Sequence, residues 1–182
     1  MSENIIHPEI DQELIAYIKV KAESARIVKH MTSKTSEESM RARLEASGES
    51  VTGAKALLIK MDVRDVQGVF AVIVLPGFKK LDSKRLKHEL KNRIEGLRNF
   101  RFASPEEMAG QARGVEPGRM PPFGRPIFPA VAYTFIDKAL LDHQRIGFNA
   151  AHFERSVIMD TVDYIEIVTH DGIFDCSTGE NA

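Results

Sequence analysis

Lys55-Ala56-Leu57-Leu58-Ile59-Lys60-Met61-Asp62 and Gly68-Val69-Phe70-Ala71-Val72-Ile73-Val74-Leu75 read as two β-strands joined through Val63–Gln67. The second strand is apolar at both parities, so both of its faces should be covered. In the first, alternate residues share a face, and Lys55 heads the row Leu57, Ile59 and Met61. A lysine in that place either snorkels out past the strand end or points into a pocket.

Other elements extend outward from this hairpin. Downstream, Leu86, Leu90 and Ile94 repeat every four residues and predict an amphipathic helix over Leu81–Glu95. Phe100–Ala103 reads as a short strand, and Ser104 with Glu107 as a capping box opening another helix. A Pro-rich loop runs to Pro129. Strands follow at Val131–Ile136, Arg145–Asn149 and Ser156–Met159, with a helix over Asp160–Val168 and Asp137 as the cap of a short helix. Upstream, residues 8–25 predict a helix with Pro8 in its first turn and Ile10, Leu14, Ile18, Ala22 and Ala25 on one side. Arg26–Met31 fits a short strand. Thr35 and Glu38 form a second capping box, opening a helix through Ala46 that Gly48 ends. Interspersed helices and strands with hairpin-like pairs give an α+β single domain, a mixed curved sheet flanked by helices.

Gly114-Val115-Glu116-Pro117-Gly118-Arg119-Met120-Pro121-Pro122-Phe123-Gly124 is richer in glycine and proline than a connecting loop requires. Each proline fixes φ and removes a donor, and each glycine admits φ > 0 and lets a ligand approach bare main chain. The segment is either a surface turn or a pre-shaped loop presenting its remaining N–H groups to a pocket.

Six segments in order resemble the YbaK/ProX-type family of aminoacyl-tRNA editing domains, which includes the editing insertion of bacterial prolyl-tRNA synthetases. They are Thr35-Ser36-Glu37-Glu38-Ser39, Ala54-Lys55-Ala56-Leu57, Val74-Leu75-Pro76-Gly77, Phe102-Ala103-Ser104-Pro105-Glu106-Glu107, the Gly118-x-x-x-Pro122-x-Gly124 loop and Asp137-Lys138-Ala139-Leu140-Leu141. The resemblance implies a partly barrel-like mixed sheet. It divides the chain into an N-terminal helical extension (1–26), an editing domain (27–168) and a flexible C-terminal tail (169–182).

The implied activity is hydrolysis of a mischarged tRNA, most of all tRNA for proline carrying Ala, Cys, Ser or Thr, in the cytoplasm. The alternative is a non-catalytic module of the same fold that holds aminoacyl-tRNA or a synthetase. On this resemblance Lys55, Gly118 and Pro122 are the catalytic positions, with Lys55 holding the 3′ end and the loop supplying N–H donors. Met120, Phe123, Gly124, Asn149 and His152 would line the aminoacyl site. Lys84, Lys87, Lys91, Arg119 and Arg125 would meet tRNA phosphates. Asn149 and His152 stand where the family usually has a small-residue turn, which bears on amino-acid specificity rather than on fold. The implied partners are the acceptor end of aminoacyl-tRNA and a prolyl-tRNA synthetase; no cofactor and no membrane are implied.

Composition bounds these readings. The chain has 182 residues, 43% hydrophobic and 28% charged, enough for one domain with a real core. Its longest apolar run, Val69–Leu75, is too short to span a bilayer, and Met1-Ser2-Glu3-Asn4 does not begin a signal peptide. The net charge is −1, yet residues 78–102 are strongly basic, including Lys84, Lys87 and Lys91. That segment is either a phosphate-attracting face or a solvated helix face. The six histidines lack metal-site spacing, so no metal is expected. Neither a nucleotide-binding glycine motif nor a G-x-S-x-G elbow occurs. Cys176 is the single cysteine, so no internal disulfide is possible; it reads as an incidental thiol in the tail.

Overall fold

The hairpin expected from the sequence is the spine of the molecule. In the computed structural model, which describes residues 10–180, β2 (Thr52–Val63) and β3 (Val66–Pro76) pair antiparallel from Ala54↔Pro76 through Met61↔Val69. Every residue of β3 from Phe70 onward is buried. The reason is that β3 lies between two cores: Phe70, Val72 and Val74 enter one, and Ala71, Ile73 and Leu75 enter the other.

The sheet runs β1 (Arg26–Lys29), β8 (Arg155–Asp160), β7 (Arg145–His152), β2, β3, β6 (Tyr133–Asp137) and β9 (Gly172–Phe174), with β5 (Leu97–Phe102) also on β2. It is mixed. The β7–β2, β3–β6 and β6–β9 pairs are parallel, and the others antiparallel. Helix α3 (Ser83–Arg93) covers one face through Leu86 and Leu90, and its cap Asp82 accepts from the Lys84 and Arg85 N–H groups. Helix α2 (Ser36–Ser47) carries the Thr35–Glu38 capping box and ends at Gly48 with φ 73°. Helix α4 (Pro105–Gln111) carries the Ser104–Glu107 box, and α5 (Thr161–Ile167) follows β8. Asp137 caps a 3-10 turn over Lys138–Asp142. Among the described residues no helix is long and apolar enough to cross a membrane.

The N-terminal helix follows the sequence reading and the C-terminal end does not. Helix α1 (Ile10–Lys21) buries Ile10, Leu14 and Ile18 of the expected apolar side in the first core, and the Tyr17 hydroxyl donates to the Ile167 carbonyl at 2.7 Å. Pro8, expected in its first turn, lies outside the described residues. The expected flexible tail is corrected. Residues 172–174 form β9, and β10 (Ser177–Glu180) pairs with β4 (Lys79–Leu81). Two contacts dock this segment. The buried Asp137 carboxylate accepts from the Cys176 N–H at 2.8 Å, and Phe174 packs on Phe135 with centroids 5.5 Å apart. The Cys176 side chain is therefore fully buried, and burial pushes its thiol pKa up.

Candidate active site

On the edge of β2 away from β3, β7 pairs only at Thr52 and Gly53, and β5 pairs only from Ile59 onward. Among the described residues Ala54–Leu57 therefore has no strand partner on that edge. Gly53, Ala54 and Ala56 carry little or no side chain there. The opening left by the missing strand is a cavity of about 360 Å³, walled by this stretch of β2, the start of α2, the Gly77–Phe78 turn, Gly118, Met120 and Asn149.

Lys55 lines the cavity and is half-buried. Its ammonium donates to the Gly77 carbonyl at 3.3 Å and to the Lys79 carbonyl. Those two bonds clamp the turn on both sides of Phe78, whose ring stands at the cavity rim in an edge contact with His143 at 5.5 Å. The Gly77 N–H donates to the Gly53 carbonyl at 2.7 Å, tying the turn back to β2. An ammonium has three donors, so one remains for a ligand. Burial draws the Lys55 pKa below the ordinary lysine value.

Gly118 lines the same cavity as Lys55. It has φ 86°, and a Cβ there would meet the Lys34 carbonyl oxygen at 3.2 Å, so the position needs glycine. The Asn149 side-chain amide donates to its carbonyl at 2.8 Å, pinning the loop to β7. Within the loop the Arg119 and Phe123 N–H groups turn inward to Glu116 and Pro121 carbonyls, and Pro121 and Pro122 have none. Among the described residues the Gly118 and Met120 N–H groups donate to no protein acceptor.

Arg43 was not singled out from the sequence. It is 4% exposed, yet it lines the cavity. Its Nε donates to Ser156 Oγ at 3.0 Å and its Nη2 to Asn149 Oδ1 at 3.2 Å. Ser156 in turn meets His30 Nε2 at 2.7 Å. Because His30 Nδ1 lies 2.8 Å from the Met31 carbonyl, Nδ1 carries the proton and Nε2 accepts from the serine. Arg145, on the same strand as Asn149, pairs with both Glu49 and Asp160. Among the described residues no carboxylate pairs with Arg43. Burial without a counter-charge pushes its pKa down to about 10. The sequence signal for this arginine is Gly147: a Cβ there would stand 2.9 Å from Arg43 Cδ, so the glycine clears its path.

Of the expected site residues, Lys55, Gly118, Met120 and Asn149 come together around the cavity. The rest do not line it. Pro122 is buried, with its carbonyl accepting from the Tyr164 hydroxyl at 2.6 Å. Phe123 is 1% exposed and sits among Tyr17, Phe148 and Tyr164. Gly124 backs onto Thr134, whose Oγ1 would lie 2.2 Å from an added Cβ. These three form the core behind the loop rather than the surface of the site. His152 accepts from the Glu154 N–H at 3.0 Å in the β7–β8 turn. Arg119 lies over the Phe153 ring at 4.8 Å and pairs with Glu116 at 3.3 Å. Arg125 donates to the Ala132 carbonyl at 2.8 Å. Lys84 and Lys91 are exposed on α3, with Lys87 between them on the same stripe. Among the described residues no group of three His, Cys, Asp or Glu could hold a metal ion.

Comparison with known proteins gives this arrangement its context. The family model for the aminoacyl-tRNA editing domain matches residues 30–167. The multifunctional Ser/Thr-tRNA deacylase ProXp-y of Escherichia coli K12 is 33% identical over 159 residues, covering 86% of each chain, and its namesake from strain O157:H7 matches equally. A crystal structure of a candidate trans-editing enzyme for prolyl-tRNA synthetase superposes with TM-score 0.71 at 16% identity, covering 94% of this chain and 98% of that one. The crystal structure of hypothetical protein APE2540 does so with TM-score 0.71 at 20% identity, covering 91% and 99%. The cavity between the open edge of β2 and the Gly118 loop is thus found in a chain that belongs to the aminoacyl-tRNA editing domain family.

Proposed function

We propose that this protein is a trans-editing hydrolase that cleaves the ester of serine or threonine misattached to tRNA, with tRNA for proline the first candidate. The observation that carries the reading is the meeting of Lys55, Gly118, Met120 and Asn149 around one cavity, although they come from three separate parts of the chain. Among the small amino acids implied by the sequence resemblance, serine and threonine gain support from the name of the E. coli relative. The association with prolyl-tRNA synthetase is supported by the structural neighbour.

In the proposed reaction the 3′ end of the tRNA lies against Lys55, whose remaining donor meets a phosphate or the ester. The Gly118 and Met120 N–H groups face the carbonyl oxygen. Water attacks the carbonyl carbon, and negative charge collects on that oxygen, where pre-set donors stabilise it. Collapse breaks the bond to the ribose oxygen. The proton lost by water ends on that leaving oxygen, giving a free amino acid and a deacylated tRNA. No enzyme nucleophile is required.

The test is a deacylation panel on tRNA for proline carrying Pro, Ala, Cys, Ser or Thr. Seryl and threonyl esters should be hydrolysed fastest and the prolyl ester spared. Binding without turnover on any member would overturn the hydrolase reading.

A further inference from the structure

The established family explains why a cavity lies beside Lys55, but not why a buried arginine without a carboxylate forms part of its wall. Arg43 spends Nε on Ser156 and Nη2 on Asn149. Among the described residues its Nη1 makes no hydrogen bond. That nitrogen lies beside Gly53, another residue of the cavity wall: a Cβ on Gly53 would be 3.6 Å from it. The guanidinium cannot turn away, because its other two nitrogens are held and Gly147 packs close to its stem. A guanidinium only donates, so the group that completes it must offer an acceptor oxygen. Nearby, Ser39 is buried on the cavity wall and bonded to Ser33 at 2.9 Å, and Asn149 Oδ1 is a second acceptor for a ligand hydroxyl.

We propose that Arg43 is the specificity-determining residue of the site, donating from Nη1 to the side-chain hydroxyl oxygen of the bound aminoacyl group. This rests on the deacylase reading above and assigns its selectivity to one side chain. A hydroxyl oxygen accepts from Nη1, while its own proton goes to Asn149 Oδ1 or Ser39 Oγ. A methyl group in its place covers the Nη1 N–H, which is otherwise open to the cavity, without offering an acceptor, and sites built to bond a hydroxyl reject analogues lacking it far more strongly than apolar pockets sort by size. Arg43 also positions the loop indirectly, because the Asn149 amide that it orients holds the Gly118 carbonyl.

The test compares seryl and 2-aminobutyryl esters on the same tRNA, since these side chains differ only by hydroxyl against methyl. Wild-type kcat/KM should favour the seryl ester by at least about a hundredfold. In Arg43→Gln that preference should fall below about tenfold, with the loss concentrated on the seryl ester. Gly53→Ala gives a second arm that does not disturb the buried charge. Its Cβ makes only ordinary contacts, so the fold should hold while seryl turnover falls as the space at Nη1 closes. A wild-type ratio near one would overturn the proposal. So would an unchanged ratio in a folded Arg43→Gln protein, or full seryl turnover in Gly53→Ala. If Arg43→Gln does not fold, the wild-type ratio and Gly53→Ala decide. Equal hydrolysis of both esters would remove the role of Arg43 and leave the deacylase standing, whereas no turnover on any mischarged tRNA would remove both.

Discussion

From Ile59 to Val63 both edges of β2 are taken, by β3 and by β5, and Ile59 and Met61 are buried in the core under α3. From Ala54 to Leu57 the same strand has β3 on one edge and, among the described residues, no strand on the other, and it borders the cavity. The two halves share a backbone and differ in one neighbour. The closed half alternates buried apolar side chains, Ile59, Met61 and Val63, which stabilise the fold, with Lys60 and Asp62. The open half alternates small residues with Lys55, keeping space and one cation where a ligand can meet main chain. The site is therefore built by omitting a strand rather than by adding a loop, and Gly118 and Met120 of the Pro/Gly loop complete its wall. Substitutions in the two halves should separate stability from activity.

The largest effect is expected from the closed half. Ile59→Ala removes a fully buried side chain and should cost about 2–5 kcal/mol of stability. Chemical denaturation would measure it, and the folded fraction should retain its kcat/KM. A selective loss of activity with unchanged stability would break the division between the halves.

Lys55→Ala tests the open half. The side chain fills no core, so the unfolding midpoint should move little. Losing one charge-assisted contact costs roughly 1.5–3 kcal/mol, ten- to more than a hundredfold in rate. Release of the Gly77–Lys79 turn adds to this by misplacing Phe78. The ammonium acts only while protonated, and burial lowers its pKa. The rate above spontaneous hydrolysis should therefore fade on the alkaline side at a lower pH than an exposed lysine would set. Full activity in Lys55→Ala would place the chemistry elsewhere.

Gly118→Ala is expected to be milder. An alanine at φ 86° costs about 1–2 kcal/mol, and its Cβ would crowd the Lys34 carbonyl. The loop should shift against its Asn149 anchor and lower kcat by about tenfold. A variant with wild-type kcat would show that the loop N–H groups do not serve the reaction.

Much of this was legible before the structure, for identifiable reasons. The β2–β3 hairpin follows from apolar parity, and both capping boxes from a hydroxyl three residues ahead of a glutamate. Lys55, Gly118, Met120 and Asn149 are separated by long stretches of chain, so only the family resemblance could suggest that they meet. Arg43 lies among Arg41, Glu45 and other polar residues of α2, where periodicity reads a solvated face. Its burial depends on glycines from β2 and β7, which a helix-by-helix reading does not connect to it. Pro122, Phe123 and Gly124 show the converse: a Pro/Gly motif names a loop but not which of its residues face inward. The C-terminal strands escaped because each is very short and pairs with a strand distant in sequence, β9 with β6 and β10 with β4.

The smallest effect concerns α3, which covers the closed half but begins close in sequence to the Phe78 rim of the open one. Arg85 pairs with Asp82 and Arg93 with Glu89. Among the described residues no carboxylate pairs with Lys84, Lys87 or Lys91, which follow one another at spacings of three and four along one side of the helix. None of the three lines the cavity. If this stripe meets tRNA phosphates, replacing all three by alanine should weaken binding most at low salt. Each lost contact should also flatten the slope of log affinity against log salt by about 0.7–0.9. Alanine is a good helix former, and the surviving Leu86 and Leu90 keep α3 docked, so stability should stay near wild type. kcat at saturating tRNA should also persist, because the ester would still be held by the open half of β2. Binding measured across a salt series, with single-turnover rates at saturation, separates capture from chemistry. Unchanged affinity and slope would reduce the stripe to solvated charge, and a lost kcat would show that α3 takes part in shaping the site.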